Sequence, residues 1–129
     1  MRRLALAVVV ALAFGAAPQA LGAFAPQRPT SLGVGEREWR VSLYRSRVPT
    51  GVVRLNVRNF GEDGHDLSVR NRHGRVLGTL PELRPGETGS LTVRLRRPGR
   101  YVVYCSLEGH EALGMRARLR VTARRTARG

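Results

Sequence analysis

The chain has no lysine: its 23 basic residues are all arginine, set against nine aspartates and glutamates, for a formal net charge of +14 over 129 residues. It has no second cysteine either, which excludes an internal disulfide framework. Cys105 is therefore an odd thiol, to be explained as a small buried hydrophobe, an intermolecular partner or a ligand. Aromatic residues are few, one tryptophan, three tyrosines and three phenylalanines. They are not interleaved with the arginines as base-stacking on single-stranded nucleic acid requires. Only three histidines are present, too few for an enzyme built on several histidine-rich metal clusters. No apolar run reaches the roughly 20 residues of a membrane-spanning helix, and no window holds a sustained helical period.

What is present begins with a leader. Arg2-Arg3 precede the apolar run Leu4 to Phe14, and small residues close the stretch at Leu21-Gly22-Ala23. A basic start, a short apolar core and a small-residue end describe a secretory signal peptide, with cleavage expected after Ala23 and Ala20 as the alternative. Export through the general route, to the periplasm or cell surface, follows. Cleavage removes 23 residues and two of the arginines, so 106 residues with net charge +12 remain, enough for one domain with one core. A basic surface of this kind suits an acidic protein partner or an anionic membrane surface, and a monomer is expected. Nucleic acid does not suit an exported chain.

Residues 24–35 hold prolines and glycines without period and read as a flexible lead-in. From Glu36 the pattern turns to period two, with Trp39, Val41 and Leu43 on one side, and Trp39 is assigned to the core. Val53, Leu55 and Val57 form a second stripe, Leu67 and Val69 a third, Leu91, Val93 and Leu95 a fourth. The last of these is expected to pair, through an Arg97–Arg100 turn, with the strand Tyr101 to Cys105. Turn signals every 8 to 12 residues predict an all-β, antiparallel Greek-key sandwich or barrel over residues 36–122. Residues 123–129 read as a solvated basic tail, and His73, in a turn between arginine and glycine, as a solvent-exposed turn residue.

The chemistry concentrates in residues 101–115. Cys105, His110 and Met115 stand five apart between two strand patterns, and His65 opens the strand His65-Asp-Leu-Ser-Val-Arg70. A thiolate, two imidazoles and a thioether form a soft donor set that suits copper. Because alternate strand residues share a face, Cys105 ends the stripe Tyr101, Val103. Met115 begins the stripe Ala117, Leu119, Val121, and His65 begins Leu67, Val69. Each candidate ligand thus sits at the end of an inward-facing stripe.

Gly99-x-Tyr101-x-x-Tyr104-Cys105-Ser106-x-x-Gly109-His110-x-x-x-Gly114-Met115 resembles the copper loop of the cupredoxins, of the auracyanin, rusticyanin and sulfocyanin kind. Asn59-x-Gly61-x-x-x-His65 resembles that family's first-ligand segment. The resemblance implies one type 1 copper per chain, with His65, Cys105 and His110 in the trigonal plane and Met115 as the long axial contact. It also implies a one-electron carrier rather than an enzyme, exchanging electrons with a cytochrome or an oxidase through the exposed edge of His110, with Leu107, Ala112 and Leu113 as an apolar collar. Asp66 stands where many members carry asparagine, which predicts a tie to Ser106. Glu108 replaces a common proline. A copper carrier or storage module without redox turnover is the alternative reading, and a copper-free structural domain a third.

Overall fold

The computed structural model describes residues 27–125. The expected signal peptide and the last residues of the tail lie outside that range. Nine strands build the described chain: β1 (Thr30–Arg37), β2 (Arg40–Leu43), β3 (Arg47–Pro49), β4 (Gly51–Asn59), β5 (His65–Asn71), β6 (Val76–Leu83), β7 (Thr88–Leu95), β8 (Gly99–Tyr104) and β9 (Arg116–Thr122). They form a four-stranded sheet in the order β2-β1-β4-β7 and a five-stranded sheet in the order β3-β9-β8-β5-β6. No helix occurs among the described residues. Most pairs are antiparallel, but β1 runs parallel to β4 and β3 parallel to β9.

The alternation of apolar and polar residues turns directly into two inner faces. On β4, Val53, Leu55 and Val57 are buried while Arg54, Asn56 and Arg58 are exposed. Leu91, Val93 and Leu95 do the same on β7, and Leu119 and Val121 on β9. These stripes meet Leu32, Leu67, Val69 and Val103 in one core between the sheets. β5 is paired on both sides, with β8 and β6, and buried on both faces from His65 to Ser68, with the Ser68 and Thr79 hydroxyls 2.9 Å apart on its outer side. Pro49 and Pro81 fall on β3 and β6, the two edges of the larger sheet, where a missing N–H breaks no ladder.

Three sequence expectations change. The lead-in ends earlier, because β1 already starts at Thr30. Its inward residues Leu32 and Val34 are buried, while on the outer face Tyr44 lies where a side chain at Gly33 would go and Phe60 sits against Gly35. The glycines that hide the strand in the sequence are the places where aromatic rings cover the sheet. The stretch from Glu36 is a hairpin rather than one strand, turning at Glu38–Trp39 between β1 and β2. Trp39 is consequently 39% exposed and outside the core. β7 and β8 do not pair: their short connection crosses from one sheet to the other, which turns are equally able to do.

The registers define two ends. At one lie the β1–β2 turn, the Asn59–His65 connection, the β6–β7 connection and the long β8–β9 loop; at the other lie the β5–β6 and β7–β8 turns and the start of β4. With nine residues in β4 at about 3.3 Å each, the ends are roughly 30 Å apart.

Candidate metal centre

Three donors predicted from sequence converge at the first of these ends. His65 starts β5, Cys105 follows β8, and His110 sits in the β8–β9 loop; one donor atom of each lies within 4.8 Å of the others. His65 Nδ1 and His110 Nδ1 are 3.3 Å apart, and Cys105 Sγ is 3.5 Å from His110 Nδ1. His65 and Cys105 are fully buried, and His110 is half-buried. Met115 is fully buried at the base of the loop, with its carbonyl accepting from Cys105 N–H at 3.1 Å and its N–H donating to the His110 carbonyl at 3.1 Å. Further turns inside the loop, from His110 N–H to the Leu107 carbonyl and from Leu113 N–H to the Gly109 carbonyl, fix the backbone that carries His110. His73 is exposed in the β5–β6 turn at the opposite end, beside Arg72.

The surroundings of each donor set its proton. Burial pushes the Cys105 thiol up to about 11, so a metal must displace a proton to gain the thiolate. His65 Nε2 lies 2.8 Å from Glu38 Oε1. That carboxylate also accepts from the backbone N–H groups of Asp63 at 2.9 Å and Glu62 at 3.0 Å. The Asp63 amide foremost, with those of Glu62 and the His65 ring, holds Glu38 down at about 2. Glu38 is thus an acceptor at any working pH, His65 Nε2 is its donor, and the Nδ1 lone pair is left for the metal side. Asp66 accepts from both the N–H and the hydroxyl of Ser106, joining the two ligand-bearing segments as expected.

Further residues at this centre escape a reading of the sequence. Trp39, adjacent to Glu38, stands edge-on to the His110 ring with centroids 4.9 Å apart, so one tight turn touches both histidines. Gly114 has φ of +120° and a Cβ there would lie 3.0 Å from the Trp39 carbonyl, so any other residue would be strained and crowded against that turn. Arg70 grips Glu111 with both guanidinium nitrogens while lying 4.2 Å over the Tyr104 ring, pinning the loop to β5. Nothing in the sequence marks Arg70 or Glu38, since each contact spans 24 or more positions.

The donor set is chemically that of a soft-metal site: one thiol, two imidazole nitrogens aimed at a common point, and a buried thioether in the same loop. Its residues fit copper. No family model matches the sequence, and neither does any curated protein sequence. Solved structures do match. An auracyanin from Roseiflexus castenholzii is 15% identical with a TM-score of 0.61, covering 74% of this chain and 99% of its own. Auracyanin B is 21% identical with a TM-score of 0.62, covering 76% and 93%. A purple cupredoxin from Nitrosopumilus maritimus is 18% identical with a TM-score of 0.51, covering 72% and 99%. A multicopper oxidase shares the fold over 75% of this chain but only 45% of its own length, at 13% identity and a TM-score of 0.57. The described chain has the cupredoxin fold.

Proposed function

We propose that this cupredoxin-fold chain is an exported blue-copper protein that carries single electrons between redox partners. His65, Cys105, His110 and Met115 would hold its one copper. The observation that carries the reading is the convergence of one thiol and two imidazole nitrogens within 4.8 Å at the end of a packed sandwich. Copper in such a set supplies a one-electron couple.

The chain's own residues do the rest. Strands β5, β8 and β9 hold the donors from three directions, and Glu38, Asp66 and the loop hydrogen bonds keep them in place whichever charge the site carries. Burial of His65, Cys105 and Met115 excludes water. His110 alone reaches the surface, so its ring edge is the way in and out for electrons. Exposed Trp39 and Leu113 flank that loop as a small apolar rim, suited to brief encounters that bury little area. Among the described residues His65, Cys105 and His110 are the one cluster of metal-binding geometry, which favours a carrier over an oxidase. Export rests on the pattern of residues 1–23.

A Cu(II) titration of the protein, followed by visible absorption beside Cys105→Ala, tests the reading. An intense thiolate-to-copper band that saturates at one equivalent and is missing from the variant is the expected result. A colourless protein that binds Cu(I) would replace it with the copper-carrier reading.

A further inference from the structure

We infer that the end of the sandwich remote from the metal centre is a docking surface for an anionic phospholipid bilayer. This goes beyond the proposed function and holds for the protein with or without metal. It rests on where the charges sit. All nine acidic residues lie towards the metal end: Glu36, Glu38, Glu62, Asp63 and Asp66 on β1, its turn and the segment around His65, Glu82 and Glu87 about the β6–β7 connection, and Glu108 and Glu111 in the β8–β9 loop. The other end has none.

At that end Arg72, Arg75, Arg96, Arg97 and Arg100 line a cleft of about 460 Å³ between the β5–β6 and β7–β8 turns, with His73 beside them. Neither ion pair among the described residues involves any of these arginines. Arg94 and Arg124 flank a second hollow next to it. Arginine-rich composition accounts for how many guanidinium groups there are, but not for the removal of every carboxylate from one pole. The two ends are roughly 30 Å apart, beyond the Debye length of about 10 Å at 0.1 M salt, so the basic pole acts on its own.

A bilayer fits this pole better than an acidic protein. The positive charge is not confined to the cleft: it continues past the two turn tips to Arg94 and Arg124 at the chain's exit, a broad face, and Val76, next to Arg75, is exposed. Both ends of the described chain emerge here: Gln27 and Arg124 line one hollow with Thr50 and Gly51. The segment that enters at Gln27 carries the apolar run Leu4 to Phe14 behind Arg2 and Arg3. A chain delivered across a membrane by that run is brought to the bilayer with its basic pole first.

Copper-free protein expressed from the full sequence is sedimented with vesicles of phosphatidylcholine, with and without one-third phosphatidylglycerol. The single tryptophan serves as reporter, because Trp39 lies at the metal end. Binding only to the anionic vesicles is expected, with Trp39 emission unchanged by lipids brominated in their acyl chains. The triple variant Arg72→Ser, Arg75→Ser, Arg97→Ser should bind about a hundredfold more weakly, whereas Arg37→Ser, Arg40→Ser, Arg84→Ser, which removes equal charge from the metal end, should not. Quenching of Trp39, equal loss in both variants, or binding to poly-glutamate but not to vesicles would each overturn the proposal.

Discussion

Glu36 and Glu38 stand two residues apart at the end of β1, and the fold treats them in opposite ways. Glu38 is tied to two backbone amides and to His65; Glu36 is fully buried and neither carboxyl oxygen has a hydrogen-bond partner. Burial first, and the Asp66 charge second, push Glu36 up to about 8. The folded state therefore keeps a proton that the unfolded chain gives up near pH 4.5. Its stabilising contribution is fully present below pH 4.5 and is lost as pH rises through 8, by at most about 5 kcal/mol. The melting temperature of the copper-free protein should fall between pH 5 and pH 8, and Glu36→Gln should remove most of that fall; calorimetry at the two pH values checks it. For Glu38→Gln the expectation lies in the metal's potential. The variant keeps an acceptor for His65 Nε2 but loses a negative charge that favours the oxidised site. A single charge beside one ligand ring, at an effective dielectric constant of about 20, is worth at most about 2 kcal/mol, so the potential should rise by tens of millivolts and at most by about 100 mV. A spectroelectrochemical titration showing no rise would remove Glu38 from the electrostatics of the site.

At the scale of elements, legibility in the sequence follows how local the determining contact is. The stripes of β4, β7 and β9 were readable because period two is a local pattern, and the Cys105–His110–Met115 spacing because one loop contains it. The parity of His65 with Leu67 and Val69 pointed the right way, since β5 begins at that histidine. What escaped depends on partners far along the chain. β1 was hidden because Gly33 and Gly35 interrupt its pattern, and their use becomes visible only when Tyr44 and Phe60 are seen over them. Trp39 read as core because a large apolar residue in an alternating stretch usually is, and only the turn at Glu38–Trp39 delivers it to His110. The crossing from β7 to β8 follows from how the two sheets stack, which no turn motif encodes. That β1–β2 turn carries a prediction of its own. Gly114→Ala adds a Cβ against the Trp39 carbonyl at a backbone angle that only glycine adopts with ease, so it should cost roughly 1–3 kcal/mol in urea unfolding. It should also disturb the visible spectrum of the copper-loaded protein, whereas Gly74→Ala, with the same kind of backbone angle but open space around it at the far end, should leave the spectrum unchanged.

The molecule as a whole behaves as one sandwich with its reactive residues gathered at one end. The donors come from both sides of a 40-residue separation, His65 on one hand and Cys105 with His110 on the other. A bound ion therefore links parts of the chain that unfolding would separate. Unfolding should be a single transition that moves to higher temperature when copper is added, by about 4 kcal/mol of added stability at a thousandfold excess over the dissociation constant. Cys105→Ser should keep the single transition and lose most of the shift. Thermal scans without copper and with free copper held at that excess decide this.

The separation of charge bears on how the protein would meet an electrode. Gold coated with a carboxylate-terminated layer, or oxidised graphite, is negative and would take up the arginine end first. The half-buried His110 edge would then face the solution at the far side of the molecule, and voltammetry would record almost no current from a protein that is fully loaded and adsorbed. A neutral or amine-terminated layer leaves the acidic end, with Trp39 and His110, free to approach. Weak current on the first surface and strong current on the second would thus report which way the molecule lies.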